Sequence, residues 1–598
     1  MDYAAIKSLP EMFFQQAAHY GDKPFLWCKQ GDEWRAMTWR ETAEAVSALS
    51  QGLRLLGVTP GDRVVIASEN RPEWPIADIA IMAAGAISVP AYTTNTTEDH
   101  YHVLSNSGAK LAIVSTSAIA KRLLPAAQRS PETKTVIAME TVLDSALGVQ
   151  IVSWGDTLDQ SLTVPEEVDA GLAKLQRTDT ACIIYTSGTG GRPKGVMLSH
   201  GAILSNCKGA NTLLSQLPDY ASGSEVFLSF LPLSHSYEHT AGQFFPISIG
   251  AQIYYTAGLD KLVADMATAQ PTIMTAVPRL YETIYGRIMR GVTQSKGVPK
   301  SLFLKTLDIG HRARTSPETL SLGDRALNPL LTMLVRRKIA KRFGGHLKAF
   351  VSGGAPLNPE IGEFFLALGV RILQGYGQTE SAPVISCNPV APIKIETVGP
   401  PLEDVSVRIA EDGEILVQGE LVMQGYWNNK SATDAAIQDN WLHTGDIGEV
   451  DSDGYIRITD RKKDIIVNSG GDNLSPQRVE GMLTIEPEIA QAMVHGDKRP
   501  HIVALIVPDP DFVKEWSAEY GDANDPNLSL TQTAFQTVIA AAVKRVNDKL
   551  NTIERVRRFH LIPESFTTDN EMMTPSMKIR RHVINERYGA DLERLYGG

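Results

Sequence analysis

Lys194 closes a run of glycines and hydroxyl residues, YTSGTGGRPKG, that follows directly on the apolar stretch ACIIYTS. Read as a buried strand, that stretch delivers a loop whose backbone N–H groups can converge on an anion, and Lys194 adds a point charge. The chemistry is phosphate binding. A P-loop nucleotide triphosphatase needs glycine, four residues, then Gly-Lys-Ser/Thr. Here four residues separate Gly188 from Pro193, Lys194 and Gly195, so the second glycine and the Mg-binding hydroxyl are both missing. Further along lie a Gly-Gly turn in VSGGAPL, Glu380 in QGYGQTES, His235 in FLSFLPLSHSYEHTAG, Asp446 and Arg461 in the stretch 439–480, and Lys578 in MMTPSMKIRR. Taken singly, these read as a structural turn, a surface acid, a structural histidine, salt-bridged turn residues and a solvated lysine.

Together, and in this order, they have one reading. The loop, with Tyr185, Thr186, Ser187, Gly188, Thr189, Gly191, Pro193, Lys194 and Gly195, resembles the phosphate-binding signature of the adenylate-forming superfamily, and in particular its AMP-forming long-chain acyl-CoA synthetases. At roughly 6% per position, nine fixed residues coincide by chance on the order of 10^-11 per start site. Gly190 stands where the family usually has a second threonine. The resemblance implies that the loop grips the β- and γ-phosphates of ATP. It implies that VSGGAPL, with Gly353, Gly354, Ala355 and Pro356, walls the adenine. In QGYGQTES, with Gln374, Gly375 and Gly377, Tyr376 would lie against the ring, Thr379 would bond the α-phosphate, and Glu380 with Thr186 would hold Mg²⁺. Asp446 would accept the ribose hydroxyls and Arg461 would donate to the ribose; Asn440 replaces the usual glycine of that turn. Lys578 would stabilise the charge that grows as a carboxylate attacks the α-phosphorus. His235 would sit by the acyl carboxylate, and the C-terminal domain would swing about Lys463, forming a coenzyme A tunnel near Gly470 and Gly471.

These residues need elements to position them. Runs such as DRVVIAS, AKLAIVS, ACIIYTS and HLKAFVSGG alternate with helical patterns between residues 60 and 460, the signature of parallel sheets covered by helices. From Thr397, short strands with Gly and Asp turns (VSVRIAEDGEILVQG, DIGEVDSDGYIRITD) indicate a small antiparallel or barrel-like unit. Beyond Asp460 a compact α+β character begins. The expected fold is therefore α/β: a large N-terminal domain, 1–460, of two α/β subdomains and a β-barrel-like unit, then a small mobile α+β domain, 461–598.

Composition agrees with a folded enzyme. With 598 residues, 43% hydrophobic and 21% charged, the chain exceeds what one core supports. Its net charge of -11 argues against nucleic acid as a general partner. The four cysteines, Cys28, Cys182, Cys207 and Cys387, show no CxxC spacing, so a reduced, cytoplasmic setting is expected. No signal peptide or membrane span is evident. The helical segment 284–345 and the coverage of the resemblance, from about residue 10 to about 585, imply a long-chain fatty acid as substrate, with ATP, Mg²⁺ and coenzyme A. Alternatives are a fatty acyl-AMP ligase that hands its product to a carrier protein, and a non-enzymatic ATP or acyl-AMP sensor. From Arg287 to Arg342, thirteen Lys/Arg face three Asp/Glu, and Leu327, Leu330, Leu331, Leu334 and Val335 precede Arg336, Arg337, Lys338, Lys341 and Arg342. This pattern suits a helix resting on an anionic membrane, and the reading leaves room for that contact and for a homodimer.

Overall fold

Strands buried on both faces read as near-continuous apolar runs, and Ile87–Ala91, covered along its whole length and broken only by the buried Ser88, is one of eight in the first of two large sheets. The structure, a computed structural model, describes residues 1–159, 171–186, 192–256, 258, 260–294, 297–462, 465–470, 472–520, 530–574 and 579–597. The strands that carry the candidate site are β1 (Thr180–Thr186), β2 (Lys194–Ser199), β3 (Val226–Ser229), β4 (Ile273–Ala276), β5 (Ala349–Ser352), β6 (Ile372–Gly377), β7 (Trp441–Val450) and β8 (Ile456–Arg461). In the first sheet β1 lies between Ile87–Ala91 and β2, and Gly425–Tyr426 pairs with the far edge of β2. In the second, β3, β4, β5 and β6 are neighbours in that order and run parallel.

The sheets are mixed rather than purely parallel. β1 and β2 are antiparallel, and so are β6 and Val384–Cys387. The connections explain it: seven residues join β1 to β2, far fewer than the dozen or more of a parallel crossover. The two strands thus form a hairpin, with Thr186 opposite Lys194 at its mouth.

A five-stranded antiparallel sheet follows, in which Ser406–Ile409, Glu414–Gln418 and β7 are neighbours and β8 pairs with β7. The C-terminal region has its own sheet of Ile489–His495, Ile502–Pro508 and Val556–Leu561, sealed on one face by Phe535 and Ile539 and on the other by Phe566 and Ile584. Its seam with the body includes Ile485, packed against the body's core, and several polar contacts. Arg290 reaches Asp509 and Asp511 at 3.3 and 3.1 Å, Lys549 pairs with Glu360 at 2.9 Å, and Arg279 donates to the Ala490 carbonyl at 3.2 Å. Half-exposed ion pairs of this kind contribute about 0–1 kcal/mol each, so they add little to the docking. Among the described residues, no helix is long and apolar enough to cross a membrane.

Candidate active site

The ends of β2, β3, β5, β6 and β7 bring together most of the polar residues picked out in the sequence. At the hairpin mouth the Lys194 ammonium lies 4.2 Å from the centre of the Tyr426 ring. The Tyr426 hydroxyl donates to Glu380 Oε1 at 2.8 Å. Burial, and then the neighbouring Glu380 carboxylate, push the Tyr426 hydroxyl well above the usual tyrosine range, which keeps it a donor. Next to Glu380, the Thr379 hydroxyl is 2.9 Å from that of Ser236, on the segment after β3. Lys194, Tyr426, Glu380, Thr379 and Ser236 therefore form one continuous line of contacts, drawn from four separate segments.

A second line runs beside it. Asp446 on β7 is buried, and its two oxygens accept from the Tyr376 hydroxyl at 2.6 Å and from Arg461 Nε at 2.8 Å. The register explains the second bond, because Asp446 and Arg461 are direct partners across β7 and β8. Each oxygen keeps a lone pair for a further donor. Burial, and then the Asp446 charge, hold the Tyr376 hydroxyl far above its usual range. The turn into β7 uses Asp439 and Asn440 at φ 49° and 63°. Asparagine is enriched in that left-handed region, so the expected glycine is replaced without loss of the turn.

Glycine is required at one point of the wall, Gly377, and closely fitted at another, Gly353. A Cβ on Gly377 would meet the Pro383 carbonyl oxygen at 1.8 Å, and one on Gly353 would meet the Tyr237 ring at 3.0 Å. The Tyr237 hydroxyl donates to the Val351 carbonyl on β5 at 2.8 Å, tying the VSGG turn to the segment that carries His235 and Ser236. Gly354, Ala355 and Pro356 continue this turn, Gly354 at φ 83°. Gln374 and Gly375 lie on β6. His235 is half-buried, and its Nδ1 accepts the Tyr237 backbone N–H at 3.1 Å. In a neutral ring that leaves the proton on Nε2.

Ser187, Gly188, Thr189, Gly190, Lys463, Gly471 and Lys578 lie outside the described residues. Gly470 sits in a turn where its N–H bonds Asn468 Oδ1 at 2.9 Å. The donors at Glu380 suit Mg²⁺. One carboxylate oxygen is steadied by Tyr426, the other takes no hydrogen bond from a described residue, and phosphates supply the remaining ligands of such a hard cation.

The sequence profile of the AMP-binding enzyme family matches residues 13–427, and that of the AMP-binding enzyme C-terminal domain matches 463–598. The chain belongs to the AMP-binding enzyme family. It is 37% identical to the long-chain-fatty-acid--CoA ligase FadD15 of Mycobacterium bovis, over 94% of this chain and 92% of that protein. It is 31% identical to the peroxisomal long chain acyl-CoA synthetase 6 of Arabidopsis thaliana, over 94% of this chain and 82% of that one. In fold it is similar to the adenylation domain of a carboxylate reductase from Mycobacterium chelonae, with a TM-score of 0.75 and 20% identity, over 99% of this chain and 91% of that structure.

Sequence reasoning missed a buried polar layer under the segment of this AMP-binding enzyme that carries His235 and Ser236. Glu238 opens a π-helical turn, Glu238–Phe244, a rare geometry often found at functional sites. Its two oxygens accept from Ser229 on β3 and Thr275 on β4, both at 2.6 Å. Asn70 donates to the same Ser229 at 3.0 Å and accepts the Leu233 N–H at 3.1 Å, fixing the approach to His235 and Ser236. Beside it, Asp78 Oδ2 lies 2.9 Å from His239 Nε2 and accepts from Gln243 at 2.8 Å, all three buried. The only sequence signal was the density of polar residues in SHSYEHT, between apolar neighbours.

Burial pushes the Glu238 carboxyl up to about 7. A carboxyl that holds its proton more tightly when folded loses stability for the fold as pH rises from about 4.5, its unfolded value, through 7. Melting curves between pH 5 and 8 should therefore fall for the wild type relative to Glu238→Gln, and parallel curves would count against this environment. Glu238→Ala should destabilise by about 2–5 kcal/mol, because it strands two buried hydroxyls.

Proposed function

We propose that the chain activates long-chain fatty acids in two half-reactions at this site. A fatty acid carboxylate oxygen attacks the α-phosphorus of ATP; the new P–O bond forms as the bond to pyrophosphate breaks, giving acyl-AMP. The thiolate of coenzyme A then attacks the acyl carbon, the C–O bond breaks, and AMP leaves with that oxygen. The observation that carries the proposal is the line from Lys194 through Tyr426, Glu380 and Thr379 to Ser236. It strings together, in reaction order, a cation for the outer phosphates, a carboxylate, a hydroxyl for the α-phosphate and the acyl side.

In this reading Lys194 and the loop Ser187–Gly190 hold the β- and γ-phosphates. Thr379 steadies the α-phosphate, and its contact with Ser236 fixes the distance from there to the acyl carboxylate beside His235. Asp446 takes the ribose hydroxyls, with Arg461 holding its carboxylate in place and Tyr376 backing both it and the adenine. Glu380 and Thr186 would hold Mg²⁺, which when bound neutralises charge on the phosphates. Lys578 brings a positive charge to the α-phosphoryl oxygens during the first step. Handing the product to a carrier protein is not favoured, because the relatives that match along almost the whole chain are coenzyme A ligases by name. A peripheral contact with an anionic membrane and a homodimer belong to the same reading. Incubation with Mg-ATP, coenzyme A and carboxylates from C2 to C20 should give thioesters that peak at C12 to C18. Acyl-adenylates that accumulate without thioester would overturn it.

The two half-reactions need different surfaces, and the half-exposed ion pairs between the body and the C-terminal domain, 461–598, suit exchange between them. Lys462, at the end of β8, is anchored to Asp412 at 2.6 Å and Glu414 at 3.2 Å, which puts a fixed point just before the proposed hinge at Lys463. Gly470 and Gly471 would then border the coenzyme A tunnel. Lys463→Pro, which locks φ, should leave acyl-AMP formation intact and slow thioester release; single-turnover quenching separates the two. Unchanged overall turnover would put the hinge elsewhere.

A further inference from the structure

The helical stretch 322–342 buries one face and leaves a chemically peculiar face in solvent. Leu322–Leu331, a π turn Thr332–Arg336 and Arg337–Arg342 follow one another without a break. Leu331, Val335 and Ile339, at intervals of four, pack toward the body. The opposite side exposes Leu322 (84%), Leu330 (44%) and Met333 (52%). Arg337 and Lys341 continue that stripe, four and eight residues beyond Met333, and Lys338 and Arg342 are exposed beside them.

The structure also removes residues from the basic run. Arg336 turns inward and donates to the Ala367 carbonyl at 3.1 Å and to Asn328 and Thr332 at 2.8 Å, so it is not a surface charge. Lys305 and Arg312 pair with Asp308 and Asp324, Arg314 pairs with Glu363, and Arg290 with Asp509 and Asp511. The bland account, basic residues neutralised by neighbouring acids, holds for those four. It does not hold for Arg337, Lys338, Lys341 and Arg342, for which no ion pair is present among the described residues. Asp324, the one acid of the stretch, is turned to Lys305 and Arg312.

We propose that this face docks on an anionic lipid surface, with Leu322, Leu330 and Met333 entering the headgroup boundary and Arg337, Lys338, Lys341 and Arg342 held by lipid phosphates. Exposed apolar side chains followed on the same helical stretch by cations with no ion pair among the described residues, in a chain of net charge -11, complement a surface that is both anionic and apolar beneath its headgroups. The inference rests on the long-chain fatty acid reading, since such acids partition into bilayers and docking would bring the enzyme to its substrate.

The test is flotation with vesicles of phosphatidylcholine alone and of phosphatidylcholine with phosphatidylglycerol, at low salt and at 1 M salt. Wild type should float only with the phosphatidylglycerol vesicles at low salt. Arg337→Gln, Lys338→Gln and Lys341→Gln together should lower the partition coefficient on the order of 100-fold, and Leu322→Asn with Met333→Asn should lower it as well. A control, Lys430→Gln with Lys544→Gln, removes two cations elsewhere and should change little. Wild type that does not float, a triple variant that floats as well, or a control that fails equally would overturn the proposal, and so would capture by RNA or a protein with no capture by vesicles. Circular dichroism melts establish that the variants fold, and all should form acyl-CoA from monomeric fatty acid at the wild-type rate. Loss of activity in the wild type itself, with flotation intact, would instead strike at the enzymatic reading.

Discussion

Replacing Lys578 by alanine should cut formation of acyl-AMP on the order of 10³-fold or more, while thioester formation from supplied acyl-AMP largely survives. The two steps make opposite electrostatic demands. In the first, a carboxylate meets a phosphate and negative charge builds on the phosphoryl oxygens, so a cation delivered there acts on the transition state. In the second, AMP is already a good leaving group and the same cation has little to stabilise. On the proposed reading the body supplies fixed groups for nucleotide and acyl chain, whereas several of its contacts with the C-terminal domain are half-exposed ion pairs that can be exchanged. Pyrophosphate release and thioester yield, followed separately, decide the matter. Equal loss in both steps would show that this lysine, or the exchange of surfaces, has been misassigned.

Asp446→Ala should lower kcat/KM for ATP by on the order of 10³, with a far smaller effect on KM for the fatty acid. A charged acceptor for two ribose hydroxyls contributes about 1.5–3 kcal/mol for each bond, and the change strands two further groups. Tyr376 and Arg461 both spend a donor on this carboxylate, at 2.6 and 2.8 Å. Tyr376→Phe removes only one of these bonds and should cost about tenfold or less, corresponding to roughly 1 kcal/mol. If Asp446→Ala raised the fatty acid KM as strongly as that of ATP, the carboxylate would be serving the structure of β7 rather than the ribose. Melting temperature, compared across both variants, separates the two cases.

What could be read from the sequence was what is local. ACIIYTS reads as a buried strand, and Thr180–Thr186 is one, so the strand that leads toward Lys194 was legible before any fold was. The Asp446–Arg461 bond was not: both residues were read as ribose contacts, whereas the register of the hairpin turning at Asp451–Gly454 sets them opposite each other and Arg461 donates to Asp446. Contacts across the fold were not legible. Nothing in QGYWNNK announces that Tyr426 will stand between Lys194 and Glu380, because it is brought there by a two-residue strand added to the edge of β2. Glu238 was hidden for a similar reason: its partners come from β3 and β4, and a π turn breaks the 3.6-residue period that would have predicted which way it faces. Another π turn separates the leucines of the stretch 322–331 from the basic residues that follow, and it turns Arg336 inward, against the reading of an unbroken basic run.

The central claim is that the carboxylate attacks phosphorus and the thiol then attacks carbon at one site. Turnover of a fatty acid labelled with ¹⁸O in both carboxylate oxygens, with unlabelled ATP and coenzyme A, followed by mass spectrometry of the nucleotide, tests this directly. One labelled oxygen should appear in AMP, one should remain in the thioester carbonyl, and none should reach pyrophosphate. Label in inorganic phosphate with ADP as the nucleotide product, or unlabelled AMP alongside labelled thioester, would contradict it.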